Sequence, residues 1–348
     1  MTVRRGALIG CGFFARNHMH GWAEVEGAEI VAVCDRDTAK AERMRADFGV
    51  PHAYGDAEEM LRTEKLDFVD VVTTSPFHKQ LVELAARHGV AAICQKPFAD
   101  TYADAEAMVR ACEAAGVPLA VHENFRWQRP FVELGERIAA GRIGKPVYAR
   151  ISFRHAFDYY ANQPYLTEVE RLSLMDIGLH LYDLARYLVG EVETLACRTQ
   201  RINPIVRGED SFTSLLGHVG GATSVVECSA FAKYDPDPFP ETTAVVEGTE
   251  GTLELLRGYR LIEHHAGSSF ETNVDVEVPA WGAKPWQVVQ RSVAAFNRHF
   301  VDVLNGKAEA QPSGAHNLGT MALALASYDS AASGSVIRMS EWRETGHG

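Results

Sequence analysis

A short apolar run, Ala7-Leu8-Ile9, ends in Gly10-Cys11-Gly12-Phe13-Phe14-Ala15 and passes into a helical pattern through Arg16, Asn17, His18 and Trp22. No other stretch constrains the fold as strongly. Gly10 permits a tight turn, Gly12 lets a pyrophosphate approach the backbone, and Ala15 is small enough for close helix–strand packing. The helix start then offers free N–H groups and a positive dipole end to phosphate. A Gly-x-Gly-x-x-Ala triplet also occurs by chance in loops, so its context decides. A second apolar run, Ala28-Glu29-Ile30-Val31-Ala32-Val33-Cys34, ends at Asp35. That acid lies about 20 residues past the turn, where a carboxylate holds the adenosine ribose hydroxyls. The stretch therefore predicts a dinucleotide site with Gly10, Cys11, Gly12, Phe13, Phe14, Asp35 and Arg36 as candidate contacts.

The alternation continues. Phe68–Val72, Val90–Cys94 and Pro118–Val121 read as strands, and Phe14–Val25, a Thr38-capped segment to Phe48, Phe77–His88 and Thr101–Ala115 read as helices. Such alternation gives an α/β fold, here a Rossmann domain over residues 1–122 with a parallel sheet covered on both faces. Ligands bind at the carboxyl ends of such strands. Three segments sit there: Thr73-Thr74-Ser75-Pro76-Phe77-His78, Gln95-Lys96-Pro97 and His122-Glu123-Asn124. Thr74, Ser75, Pro76, His78, Gln95, Lys96 and Pro97 are accordingly further candidate cofactor contacts.

After about residue 145 the pattern becomes extended runs separated by Gly, Pro, Asn or Asp. These are Val147–Phe153, Thr194–Ile202, Ser211–His218, Ala222–Ala230, Thr243–Glu247, Thr252–Leu256 and Val274–Val278. Helices are expected at Met175–Val189, Val288–Leu304 and about Asn317–Ser333. The Ala-rich Met321–Ala326 lacks a polar stripe and is expected to be buried. The second domain, residues 123–348, is thus α+β with a large, mostly antiparallel sheet, and its terminal helix can pack back on the first domain. The loop Tyr234-Asp235-Pro236-Asp237-Pro238-Phe239-Pro240 is stiffened by its prolines. Bordering a site and lying inert on the surface are equally compatible with it.

A chain of 348 residues suits two domains. The formal charge of −12 disfavours nucleic acid and anionic membranes, which call for a basic face. No apolar stretch is long enough to cross a bilayer. The start, Met1-Thr2-Val3-Arg4-Arg5-Gly6, is not expected to be a signal peptide, because the glycine turn follows so soon. None of the six cysteines forms a Cys-x-x-Cys pair, which fits reduced thiols and a cytoplasmic protein.

Lys96 follows a buried-looking strand and precedes proline. That neighbour pushes it to extended geometry, and the Lys–Pro bond can be cis. Its ammonium would be held at the strand end beside a nicotinamide, although an exposed strand-end lysine is a common feature. Asp176 and His180 stand four residues apart and share a helix face. A carboxylate beside an imidazole fixes its tautomer and stabilises the imidazolium. An ordinary surface pair is the simpler reading, but the flanking Leu174, Met175, Ile177, Leu179, Leu181 and Leu184 make this helix strongly apolar, and a polar pair there calls for a partner or ligand. A metal is not expected, because no third ligand is apparent. His264-His265 and His18-x-His20 read as solvated or structural.

On Gly10-x-Gly12-x-x-Ala15, Asp35, Thr74-Ser75-Pro76-x-His78, Lys96-Pro97, Asn124-x-Arg126-x-x-x-Pro130 and Asp176-x-Gly178-x-His180-x-x-Asp183, the chain resembles the Gfo/Idh/MocA oxidoreductases over nearly its whole length. The resemblance implies a Rossmann domain followed by an α/β domain with an open sheet. It implies a nicotinamide cofactor, NAD with NADP as the alternative, and substrates that are sugars, sugar acids, cyclitols or their derivatives. It implies homodimers or homotetramers packed through the open sheet, and Lys96, Asp176 and His180 as the catalytic set. Two departures stand out. Gln95 replaces the usual glutamate of Glu-Lys-Pro, and Glu170-Arg171-Leu172-Ser173-Leu174 replaces a run of glycines before the Asp-x-Gly-x-His motif.

Asn124, Arg126 and Trp127, then Arg154, His155, Asp158, Tyr159, Tyr160, Asn162 and Tyr165, are candidates for the pocket wall. Aromatics beside polar side chains suit the apolar C–H faces and hydroxyl rims of a polyol. From this group Asn124, Arg126, Trp127, Arg154, Tyr159 and Tyr160 join Asp176 and His180 as candidate substrate contacts. The expected function is a dehydrogenase that moves hydride between a nicotinamide and a carbinol carbon. His180 would act as base, Asp176 would orient it, and Lys96 would bond the reacting oxygen. The alternatives are a dinucleotide-sensing regulator without turnover and an isomerase or epimerase with recycled cofactor.

Overall fold

The computed structural model describes residues 3–161 and 163–344. Its α-helices are α1 Ala15–Ala23, α2 Thr38–Phe48, α3 Ala57–Thr63, α4 His78–Arg87, α5 Tyr102–Ala115, α6 Arg129–Ala139, α7 Leu179–Val189, α8 Gln287–Leu304 and α9 Gly314–Ser333. None is long and apolar enough to cross a membrane. The chain divides into two compact units. One comprises Met1–Trp127, Pro279–Gly282 and Val289–Gly319, the other Gln128–Val278, Ala283–Val288 and Thr320–Gly348.

The first unit is built on β1 Arg4–Ile9, β2 Ala28–Cys34, β3 His52–Tyr54, β4 Phe68–Val71, β5 Ala91–Gln95 and β6 Leu119–His122. These form a six-stranded sheet in the order β3-β2-β1-β4-β5-β6, every pair parallel. The order reverses between β1 and β4, which opens a crevice at the carboxyl ends of those strands. Strands buried on both faces read as apolar runs, as β1, β4 and β5 do. One sheet face packs Phe68, Ile93 and Ala120 against Trp22 of α1 and Phe296, Phe300 and Val301 of α8. Burying one such phenylalanine contributes roughly 1.5–3 kcal/mol. The cap of α2 differs from expectation. Asp37, not Thr38, accepts the N–H groups of Ala39 and Lys40, because its backbone is extended while Thr38 is already helical.

The second unit holds a nine-stranded sheet in the order β14-β13-β12-β11-β7-β10-β9-β8-β15. Its strands are β7 Pro146–Arg154, β8 Val192–Gln200, β9 Ser211–His218, β10 Thr223–Ser229, β11 Thr243–Gly248, β12 Gly251–Leu256, β13 Arg260–His265, β14 Ser268–Asn273 and β15 Ile337–Arg338. All pairs are antiparallel except β7 with β10. In β7, Ala149, Ile151 and Phe153 are buried, while the alternate Arg150 is exposed. The Ala-rich part of α9 is buried as expected, from Met321 at 0% exposure to Ala326 at 0%. Val274–Val278 is not a strand. The edge is built instead by the β13–β14 hairpin, whose turn places Ala266 at φ 50° and Gly267 at φ 74°. Positive φ at both central residues matches the twist of a hairpin, and the charged and histidine-rich β13 hid the pattern.

Candidate active site

The glycine turn of the first unit is fixed by backbone geometry. Gly10 sits at φ +98°, and a Cβ there would lie 2.6 Å from the Val72 carbonyl oxygen. Its N–H donates to the Cys34 carbonyl at 2.8 Å. A Cβ on Gly12, by contrast, would meet nothing within 4 Å. The turn is closed behind Gly10 and open at Gly12, as a backbone that receives a pyrophosphate requires. Asp35 accepts the N–H of Cys11 with Oδ2 at 2.8 Å and that of Asp37 with Oδ1 at 2.9 Å. Burial pushes the Cys11 thiol up to about 12, with help from the Asp35 and Cys34 charges, so it stays protonated. All six cysteines are free and buried. Phe13 is 71% exposed on the turn. Phe14 precedes the first residue of α1, and the Arg36 guanidinium lies 4.1 Å over the Phe77 ring.

The segments after β4 and β5 are laced together. His78 is fully buried, with Nε2 3.0 Å from the Thr73 carbonyl and Nδ1 3.2 Å from that of Phe98. Burial holds its imidazole below the usual range. Ser75 Oγ donates to Asp100, and Thr74 and Pro76 are exposed beside it. The Lys96–Pro97 bond is cis, and both residues are half-buried. Gln95, 7% exposed, accepts the Lys96 N–H with Oε1 at 2.6 Å. Past β6, Asn124 donates to Ser292 Oγ of α8 at 2.8 Å. Trp127 donates to the Gln311 carbonyl at 3.1 Å and packs on His299, with Arg126 buried between them in sequence.

In the second unit, Asp176 does not lie in a regular helix. Leu174–Gly178 is a π turn that leads into α7. Such single turns insert a residue and re-aim side chains, frequently at functional sites. Glu209 anchors this turn by accepting the N–H of Leu174 at 2.8 Å and of Leu172 at 3.3 Å, and the Tyr328 hydroxyl at 2.8 Å. One turn on, His180 is 3% exposed. Tyr182 pins α7 through hydroxyl contacts at 2.6 Å with both Ser214 and Ser327.

An aromatic cluster stands within reach of the Asp176 charge. His155 packs on Tyr159 and on Phe239, at centroid distances of 5.6 and 4.7 Å. The Tyr159 hydroxyl donates to that of Tyr160 at 3.2 Å. Burial lowers the His155 imidazole to about 4, opposed by the Asp237 and Asp176 carboxylates. Burial also raises the Tyr159 hydroxyl, and the Asp176 charge adds to that. The fold thus brings Asp176, His155, Tyr159 and Tyr160 together electrostatically. Arg154 points to the other face of β7, where it pairs with Glu227 at 3.6 Å beside Arg150 and Ser152. Asp158 closes a local turn by accepting the Tyr160 N–H, and Tyr165 is 57% exposed. Asn162 lies outside the described residues.

Sequence reasoning missed Glu209 and Trp286, and left Phe239 open. Phe239 stacks on Phe157 at 4.7 Å and meets Trp286 edge-on at 5.2 Å. Its only signal was the proline-stiffened loop that carries it. Among the candidate contacts, Thr74, Pro76 and Phe13 face outward, whereas His78, Asn124 and Trp127 are spent on bonds or packing within their own unit.

Comparison with known proteins places both halves. Residues 4–123 match the oxidoreductase family described by its NAD-binding Rossmann fold, and residues 131–254 match the GFO/IDH/MocA C-terminal domain. The chain is 49% identical over 340 residues to a D-apiose dehydrogenase of Paraburkholderia graminis, covering 97% of this chain and 91% of that one. It is 47% identical over 337 residues to a D-apiose dehydrogenase of Rhizobium rhizogenes, covering 97% and 98%. A crystal structure of an oxidoreductase from Agrobacterium radiobacter, in complex with NAD+, L-tartaric acid and magnesium, superimposes with a TM-score of 0.96 at 46% identity, covering 97% of this chain and 99% of that one.

Proposed function

The chain belongs to the Gfo/Idh/MocA family of oxidoreductases, and from that premise we propose that its substrate is D-apiose or a sugar close to it in size. It is an NAD(P)-dependent dehydrogenase that acts on a CH–OH group. The observation that carries the substrate proposal is the match to two D-apiose dehydrogenases along nearly the full chain. The same match disfavours a regulator without turnover.

NAD is the cofactor, and the first unit fits it. Gly10 and Gly12 supply the turn and the open approach, and the Asp35 carboxylate stands at the end of β2 with backbone N–H groups holding both oxygens. When bound, its nicotinamide takes the hydride from the carbinol carbon. Asp35 carries the ribose hydroxyls and repels a 2′-phosphate. Arg36, next in sequence to Asp35, rests on the Phe77 ring at 4.1 Å, which occupies a cation that could otherwise pair with that phosphate. Thr74, Ser75, Pro76 and Pro97 border the cofactor, and His78 shapes that border from behind.

His180 takes the hydroxyl proton and Asp176 orients its ring. Lys96 supplies positive charge to the oxygen as it becomes a carbonyl. Tyr159, Tyr160 and His155 wall the sugar. A second copy of the chain covers the sheet face that exposes Arg150 and Leu215, the latter 53% exposed; light scattering from a monomer at working concentration would contradict that. The six reduced cysteines support a cytoplasmic location, which fractionation of the source cells tests. Turnover of D-apiose and a panel of pentoses, sugar acids and inositols with NAD and NADP tests the function. Preference for an inositol, or no turnover of any pentose, would overturn the substrate assignment.

A further inference from the structure

Behind Lys96 runs a hydrogen-bond chain that is buried throughout. Asp70 and His18 are 0% exposed and Gln95 is 7% exposed. Asp70 Oδ2 accepts the Trp22 indole N–H at 2.8 Å and faces His18 Nδ1 at the same distance. His18 Nε2 lies 2.9 Å from Gln95 Nε2, and Gln95 Oε1 accepts the Lys96 N–H at 2.6 Å. The other rings against His18 are Phe14, at 5.5 Å, and His122, at 4.1 Å.

The two ends fix the direction of every bond. The Lys96 N–H only donates, so Gln95 must present oxygen to it and N–H to His18. His18 Nε2 is then the acceptor, and Nδ1 carries the proton toward the Asp70 carboxylate. An imidazolium would set an Nε2–H against the Gln95 amide N–H. Turning that amide over would set its NH2 against the Lys96 N–H instead. Only a neutral, Nδ1-protonated His18 pairs a donor with an acceptor at each of these contacts; Asp70 Oδ1 is buried without a hydrogen-bond partner in either case.

We infer that Lys96, Gln95, His18 and Asp70 form a positioning relay through a neutral imidazole, in which Gln95 fixes the Lys96 main chain at the end of β5 and dictates the charge and tautomer of His18. This rests on the reading of Lys96 as an active-centre group. A glutamate at position 95 would accept from both Lys96 and His18, and so draw a second proton onto the imidazole. It would be a carboxylate–imidazolium–carboxylate array, whereas Gln95 leaves Asp70, two side chains from Lys96, as the relay's carboxylate. The buried Glu123, next to the His122 that pairs with Gln95, is a further acid at this end of the sheet.

The relay is tested in the full-length protein by histidine 15N NMR, with His18 assigned from its loss in His18→Gln. The expected spectrum is a ring protonated on Nδ1 with a bare, accepting Nε2 at neutral pH, and a ring protonated on both nitrogens in Gln95→Glu. An Nε2-protonated tautomer, or a ring protonated on both nitrogens at neutral pH in the unmutated protein, would overturn the inference. Kinetics supply the second arm. Gln95→Leu should lower kcat by about tenfold or more, since small misplacements near reacting groups are costly, with the Kd for NAD within about twofold. Gln95→Glu, which keeps the Lys96 bond, should recover most of that loss. A folded Gln95→Leu with unchanged kcat would remove the positioning role. If Lys96→Met retained turnover, the functional reading would fall, while the NMR result would still decide the relay.

Discussion

The carboxylate of Asp35 accepts the backbone N–H of Cys11 at 2.8 Å, which ties the end of β2 to the middle of the glycine turn. One side chain therefore serves two purposes. It fixes the turn, and in the proposed site it also places a negative charge toward the adenosine ribose of NAD. On that proposal the turn and the choice of cofactor are mechanically linked, since moving the carboxylate moves both.

Asp35→Ser should therefore weaken NAD and relax selectivity together. The kcat/KM ratio of NAD over NADP should fall by about ten- to a hundredfold, the size of one lost charge-assisted contact. Steady-state kinetics with both cofactors measure this. An unmutated protein that uses NADP with the higher kcat/KM would contradict the assignment of Asp35.

The buried His155 should shape acid stability. It is 2% exposed and held at about 4 in the fold, against 6.5 when unfolded. The unfolded chain binds more protons between those values, so the contribution is full above about pH 6.5 and is lost as pH falls through about 4. The loss amounts to about 3 kcal/mol. Urea midpoints across this range should fall more steeply for the wild type than for His155→Asn. Parallel curves would show that the ring is not held neutral.

Glu209→Ala removes the acceptor of two N–H groups at the π turn and of the Tyr328 hydroxyl. Unpaired buried donors cost about 1–3 kcal/mol each, partly relieved by water, so a loss of about 2–4 kcal/mol is expected. Because the turn also carries Asp176, kcat should fall further than the folded fraction does. Chemical denaturation and kinetics on the same samples separate the two effects. Equal kcat per folded molecule would mean that the turn does not depend on Glu209.

What was legible in the sequence was what local chemistry dictates. Gly10, Gly12 and Asp35 announce a strand–turn–helix because the turn needs those residue types. The parallel sheet followed from strands alternating with helices, and the later antiparallel sheet from turn-separated extended runs. Contacts across long sequence separations were not legible. Phe296 and Phe300 give no sign that they cover the sheet of the first unit, and Phe239 gives none that it reaches His155. The π turn was hidden for another reason. Helical spacing fits Asp176 and His180 in either geometry, and what stabilises the wider turn is Glu209, far along the chain. His18 reads in the sequence as solvated or structural, and its contact with Gln95 beside Asp70 depends on β4 and β5 lying side by side.

The assignment of the proton remains the sharpest test of the site. His180 is carried on a helix that Tyr182 bonds at two points, so its imidazole is 3% exposed on a held backbone. An ordinary imidazole titrates near 6.5 and needs little adjustment to act as a base at neutral pH, whereas an ordinary lysine, near 10.4, needs a depression of about three units. General-base assistance is worth about 10²–10⁴-fold in rate. His180→Ala should therefore lower kcat within that range, remove the acid limb of the pH–rate profile and leave the Kd for NAD unchanged. Lys96→Ala should cost at least as much, through lost charge at the developing alkoxide, yet keep the acid limb. The reverse pattern, an intact acid limb in His180→Ala and its loss in Lys96→Met, would make Lys96 the base and reduce His180 to a positioning group.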